Sequence, residues 1–187
     1  TCVAGNVPLD AVVLNTLTVL DAAQRPEIRV VAGYASPLVY ALTDASHVHG
    51  ADGLGLPDWP RSTRQPDPRH ALDLMADILA AAAQPVTVIS LAPLTNLAGF
   101  VQRYPQLLPR IARIVSMGGS AFSGGNMTAA AEFNIGCDPE AAAVVYNSGV
   151  PITLYGLDVF RQVTLTTAEV TALEGAGKSW SPLLGGR

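Results

Sequence analysis

Cysteine is nearly absent. Of 187 residues only Cys2 and Cys137 carry a thiol, and neither stands in a Cys-x-x-Cys or metal-ligand spacing. A zinc site or a redox pair is therefore not expected, and both thiols read as small buried hydrophobes. Positive charge is scarce too. There are 11 Lys and Arg against 15 Asp and Glu, giving a formal charge of −4, and the basic residues are scattered. That removes the electrostatic term on which nucleic-acid binding depends, so DNA and RNA polymers are excluded as ligands. No uncharged apolar run is long enough to span a membrane, and no charged n-region leads into an apolar h-region. Nothing points to a membrane or to secretion, and the chain reads as cytoplasmic. No Gly-x-Gly-x-x-Gly or Walker A sequence follows any apolar run, so a phosphate-binding loop is lacking. Repeats, low-complexity tracts and linkers are absent as well.

What is present is a regular alternation. With 49% hydrophobic and 14% charged residues the chain has the balance of one globular domain with a core. Short Val/Ile-rich runs at Thr1–Ala4, Ile28–Ala32, Val86–Leu91, Arg113–Met117 and Pro151–Tyr155 read as strands. Between them, 9–23, 68–83, 94–103 and 139–147 carry apolar residues at helical spacing, as in Leu72, Met75, Ile78 and Leu79. Asp67-Pro68 and Asp138-Pro139 read as helix starts, because Asp can cap and Pro fits the first turn. The expected fold class is α/β, an open, mostly parallel, Rossmann-like sheet with helices on both faces. Residues 46–66, rich in Gly, Pro and His, read as one long loop of the kind that often carries function. In such sheets ligands bind at the carboxyl ends of the strands.

The polar clusters fall at those ends. Asn6 follows a Gly turn after the first strand. The loop His47-Val48-His49-Gly50-Ala51-Asp52-Gly53-Leu54-Gly55 offers two His and an Asp to a ligand. Histidines at i, i+2 suggest a metal pair, but no third ligand stands nearby. Leu91 to Asn96 closes a strand and opens a helix, which leaves backbone carbonyls such as that of Leu91 free, a normal oxygen ligand for calcium. Met117-Gly118-Gly119 lets the backbone approach something closely. Asn126 leads to Ala131-Glu132-Phe133-Asn134, two amides and a carboxylate in apolar surroundings. Left unpartnered and buried, each such group would cost ~1–3 kcal/mol, and a vicinal diol with a hydroxymethyl group would satisfy them.

Together, Val3-Ala4-Gly5-Asn6, His49-Gly50 with Asp52-Gly53-Leu54-Gly55, Leu91 to Asn96, Met117-Gly118-Gly119, and Asn126 through Glu132-Phe133-Asn134 to Asp138-Pro139-Glu140-Ala141-Ala142 resemble the inosine-uridine-preferring nucleoside hydrolase family. Residues 149–153 and Gly156-Leu157-Asp158-Val159 continue the match. The resemblance implies hydrolysis of a ribonucleoside N-glycosidic bond, with calcium coordinating the ribose 2′ and 3′ hydroxyls and the attacking water. By the same resemblance Asn6, Asn126, Glu132 and Asn134 bind ribose hydroxyls and Met117 lines the sugar pocket. His49 lies beside the base or the 5′ side, Phe133 forms a wall, and the Leu91 carbonyl faces calcium. A homodimer or homotetramer is implied, with a small-molecule ribonucleoside as partner.

The chain also departs from the family. An Asp-x-Asp cluster followed by a pair of Asp supplies most calcium ligands and the base in that family, and it would belong just before Thr1. A late His-Asp pair would lie beyond Arg187. Residues 1–187 are therefore expected to be a single nucleoside hydrolase domain lacking N-terminal and C-terminal segments, with the catalytic groups outside this chain. Phe160-Arg161-Gln162 stands where many relatives have Thr-His-Gln. A rival expectation is a truncated or degenerate ribose-binding domain without activity, and a weaker one is a nucleotide-binding α/β domain. The 187-residue chain alone is expected to be nearly inactive on inosine and uridine. Release of free base at a normal enzymatic rate by the purified chain would overturn that expectation.

Overall fold

The computed structural model describes residues 1–56 and 58–181. Three strands form its sheet: β1 (Val86–Ser90), β2 (Ile111–Met117) and β3 (Ile152–Tyr155). They lie in the order β1-β2-β3 and pair in parallel, with Val88 opposite Ile114 and Ile114 opposite Ile152. Parallel neighbours require crossovers, and the helices supply them. The helices of the first half are α1 (Leu9–Ala22), α2 (Ser46–His49), α3 (Ala71–Ala81) and α4 (Thr95–Arg103). The second half adds α5 (Phe133–Cys137), α6 (Pro139–Tyr146), α7 (Leu157–Phe160) and α8 (Thr167–Glu174). The expected open parallel α/β sheet is what the chain builds.

The core explains the periodicity. Leu72 and Leu79 of α3, Leu97, Ala98 and Phe100 of α4, and Ala141, Ala142 and Val145 of α6 pack with Ile111 and Ile114 of β2 into one buried cluster. Each fully buried Leu, Ile or Phe contributes about 1.5–3 kcal/mol by leaving water. A second cluster joins Cys2, Val13, Leu17 and Val30. Both thiols are buried, as read from the sequence.

Two strand expectations are corrected. Thr1–Ala4 and Ile28–Ala32 form only isolated bridges, Cys2 with Ala32 and Val31 with Asp67. Those extended segments meet at single points rather than along a ladder. The second helix start is also corrected. α3 begins at Ala71, with His70 as its cap, accepting the Leu72 N–H at 3.3 Å. Asp67 cannot cap because Arg69 holds its carboxylate at 2.6 Å, and its own N–H reaches the Val30 carbonyl at 2.8 Å. The first of the long loop's residues, 46–49, are in fact a helical turn.

Two buried polar side chains pin these elements together. Asp138 has no exposed surface. Its Oδ1 accepts the Ala141 N–H at 3.1 Å, which makes it the cap of α6 with Pro139 in the first turn, as expected from Asp-Pro. Its Oδ2 accepts the Thr95 hydroxyl at 2.6 Å and the Leu38 N–H at 3.0 Å. Asn96, next to Thr95 in α4, donates to the Cys2 carbonyl at 2.8 Å and accepts the Tyr34 N–H at 2.9 Å. Gly33 is required beside it, since a Cβ there would lie 2.2 Å from the Asn96 oxygen. Asp138→Ala strands three donors at once, and hydrogen bonds to a buried charge are worth about 1.5–3 kcal/mol each before relaxation. Urea denaturation of the purified variant is expected to show a loss of about 3 kcal/mol, and a loss below about 1 kcal/mol would refute the pinning role.

Candidate ribose-binding cleft

The loops that leave the strand ends meet around a cleft of about 650 Å³. That size suits a small organic ligand rather than a single ion or a polymer. Eight residues singled out from the sequence lie on its wall: Asn6, His49, Leu91, Met117, Asn126, Glu132, Phe133 and Asn134. Residues 128 positions apart in the chain are thus brought to one place, at the carboxyl ends of β1 and β2.

Three of the polar groups share a pattern: Glu132, Asn126 and Asn134 each commit one polar atom to the protein and leave another without a partner among the described residues. Glu132 is 3% exposed and caps α5. Its Oε2 accepts the Gly119 N–H at 2.9 Å and the Ile135 N–H at 3.3 Å, and no hydrogen bond to Oε1 is formed among the described residues. Asn134 donates its amide to the Met117 carbonyl at 3.0 Å and touches the Met117 sulfur at 3.3 Å, so its own oxygen is left over. Asn126 accepts the Phe133 N–H at 2.8 Å, so its amide nitrogen is left over. Asn6 uses only its backbone, whose carbonyl accepts the Ala45 N–H at 2.9 Å. The free atoms are therefore acceptors from Glu132 and Asn134, a donor from Asn126 and both from Asn6. A hydroxyl group can donate and accept, and so matches either kind.

The glycine-rich loop behaves differently from its reading. His49, and His47 with it, reach the cleft from α2. Asp52 does not. Its Oδ1 accepts the Leu54 and Gly55 N–H groups at 3.1 and 3.0 Å, and Arg61 pairs with the other oxygen. These bonds, the Gly55 N–H first, hold the Asp52 carboxyl below its usual pKa. It organises the loop instead of facing a ligand. Asp44, also on the wall, accepts the Ser46 hydroxyl and N–H, and its pKa is lowered chiefly by that hydroxyl. Cys137, at the end of α5, has its thiol pushed up to about 11 by burial, with Glu132 and Asp138 adding to the shift, which leaves it a poor nucleophile.

Sequence reasoning missed Thr43, Met127, Leu157 and Phe160 as wall residues. Phe160 had been visible only as a departure, and it now closes the cleft beside Met117 while packing edge-on to Tyr155 at 6.5 Å. Asp158 was also missed. Its carboxylate accepts the N–H groups of Ala121, Phe122 and Ser123 at 2.7, 2.9 and 2.8 Å. Those backbone donors, Ala121 first, hold its carboxyl down at about 2.

The fold is an α/β sheet with a cleft of half-spent amides and one buried carboxylate at its strand ends. More particularly, the chain belongs to the inosine-uridine preferring nucleoside hydrolase family, whose sequence model matches residues 1–185. That family uses a metal ion. The chain is 41% identical over 181 residues to a pyrimidine-specific ribonucleoside hydrolase, RihA, of Salmonella enteritidis PT4, covering 97% of this chain and 58% of that relative. It is similar in structure to a purine-preferring ribonucleoside hydrolase from Gardnerella vaginalis, with a TM-score of 0.93 and 29% identity over 99% of this chain and 60% of the other. A plant nucleoside hydrolase gives a TM-score of 0.89 and 33% identity over 96% of this chain and 57% of its own. The chain thus spans about 58% of the length of the curated relatives it matches. Among the described residues no helix is long and apolar enough to cross a membrane.

The capping role of Glu132 can be tested apart from any ligand. Glu132→Ala removes both acceptor bonds and orphans the Gly119 N–H, which should lower stability by about 2 kcal/mol. Glu132→Gln keeps one carbonyl oxygen for those donors and should shift stability by less than about 1 kcal/mol. Equal losses for the two variants in urea denaturation would contradict this division.

Proposed function

We propose that this chain is the ribose-binding portion of an enzyme that hydrolyses the N-glycosidic bond of ribonucleosides to free base and ribose. The observation that carries the reading is the cleft itself, in which Asn6, Asn126, Glu132 and Asn134 each offer an unspent polar atom to the same space. Asn6, Asn126, Glu132 and Asn134 bind the ribose hydroxyls. Met117 and Phe133 form apolar walls along the sugar, and His49 stands on the base or 5′ side. Breaking the C–N bond leaves a ribosyl group with oxocarbenium character. The Glu132 carboxylate is acceptor-only while ionised, so its contact with a ribose hydroxyl tightens as positive charge grows on the ring. Its two backbone donors hold it in place beforehand.

Calcium is the metal of this proposal, and the Leu91 carbonyl is the oxygen this chain would give it. When bound, calcium would position and activate water. Calcium takes six to eight oxygens, however. Among the described residues no group of three or more His, Cys, Asp or Glu side chains could hold a metal ion. The set present here therefore does not fit calcium by itself, and water activation is assigned to none of these residues. A small ribonucleoside is the partner, and the enzyme works in the cytoplasm as a homodimer or homotetramer.

The test is Glu132→Gln in the intact enzyme, assayed with both inosine and uridine. Turnover is expected to fall by roughly 10²-fold, and by more than substrate affinity does, as for loss of one pre-placed electrostatic contact. Wild-type turnover in a variant that melts normally would sink the ribose-binding role of Glu132.

A further inference from the structure

Between β2 and α5 the backbone runs as a segment without regular structure, residues 118–132, of which Asn126, Met127, Thr128 and Glu132 line the cleft. Apolar burial does not place the part before Asn126. Phe122, its one large apolar side chain, is 96% exposed. Its position comes from polar ties: Gly119 donates to Glu132 and Gly125 to the Ala129 carbonyl, while those of residues 121–123 run to α7. Leu157 is buried, and its N–H reaches the Gly119 carbonyl at 2.9 Å, which docks α7 at the carboxyl end of β3. From there the Asp158 carboxylate takes three successive backbone donors, Ala121, Phe122 and Ser123. Arg161 donates to the Ser123 carbonyl at 2.8 Å and, more loosely, to the Gly125 carbonyl at 3.4 Å. The next residue is Asn126.

From these ties we propose that Asp158 and Arg161 are positioning residues that hold segment 120–126 in place and thereby set Asn126 for a nucleoside. The inference rests on the ribose-binding reading of the cleft. Neither side chain lines the cleft, so both act through the loop. A carboxylate suits the first task because it accepts several N–H groups and donates none. A guanidinium suits the second because its forked donors reach two carbonyls at once, which a lysine ammonium does less rigidly. Downstream of the tie, Gly125 has no room for a side chain. A Cβ there would sit 2.2 Å from the Ala131 carbonyl oxygen, which also accepts the Asn126 and Met127 N–H groups at 3.1 and 3.0 Å, so the loop lies close against Ala131 here.

Two measurements test this, one on the loop and one on the substrate. Amide hydrogen exchange is expected to lose protection at Ala121, Phe122 and Ser123 in Asp158→Asn and in Arg161→Ala, with little change in thermal midpoint. In the intact enzyme, Arg161→Ala is expected to raise KM for inosine or uridine by about tenfold, with a smaller effect on kcat, and Arg161→Lys to recover part of the loss. In an Asn126→Ala background the same Arg161→Ala change should have almost no further effect on KM. Unchanged exchange, an unchanged KM, or a KM effect that persists in full without Asn126 would each overturn the positioning role alone. A wild-type enzyme that neither binds nor cleaves any ribonucleoside would overturn the reading of the cleft, and this proposal with it.

Discussion

The carboxylate of Asp138 is the interaction on which the architecture depends. It sits with no exposed surface and three donors upon it, one each from α6, α4 and the segment after Tyr34. A buried charge with fewer partners would be a liability of several kcal/mol, so the three elements can reach their places only together. Asn96 extends the same logic toward the amino-terminal segment, tying Cys2 and Tyr34 to the first turn of α4. The apolar cluster among α3, α4, α6 and β2 provides most of the stabilisation, but apolar packing is non-directional. The polar pins decide how the crossovers are set against one another, and hence where the loops at the strand ends emerge.

The cleft is built by the same economy. Glu132, Asn126 and Asn134 each use one polar atom to order the backbone and leave another without a partner among the described residues. Such groups are preorganised, because the bond to the protein fixes the rotamer that aims the free atom. In the proposed function the arrangement also ties stability to ligand recognition. A substitution at Glu132 acts on the α5 cap and on the cleft together, which is why the alanine and glutamine variants separate the two effects. The loop that carries Asn126 is held by polar contacts to α7, Ala131 and Phe133 rather than by a core of its own, so it belongs to the less stable part of the fold.

Much of this was legible in the chain. Strand and helix signals marked β1, β2, β3, α1, α3, α4 and α6, because burial of one helix face imposes a repeat on composition and the strands are short Val/Ile-rich runs. Asp138-Pro139 announced a helix start and was one, whereas Asp67-Pro68 announced one and was not. The difference lies in what else competes for the carboxylate. Asp138 meets only donors that belong to the elements it joins, while Asp67 is taken by Arg69 two residues away. Similarly, Asp52 read as a ligand-facing acid on a glycine-rich loop, but Arg61 and two loop N–H groups claim it. Side-chain partners brought in by the fold leave no periodic trace.

By itself the sequence determined the order of elements, the absence of a basic surface, and which polar residues stand after strands among apolar neighbours. These are local properties, fixed by residue type and spacing. Only the tertiary structure decided that Asn6, His49, Leu91, Met117 and the segment 126–134 share one wall of one cleft, that Phe160 closes it, and that Asp158 and Arg161 steady its rim. Those facts depend on contacts between residues tens to more than a hundred positions apart, made once the sheet aligns its strand ends and the buried carboxylate of Asp138 finds all three of its donors.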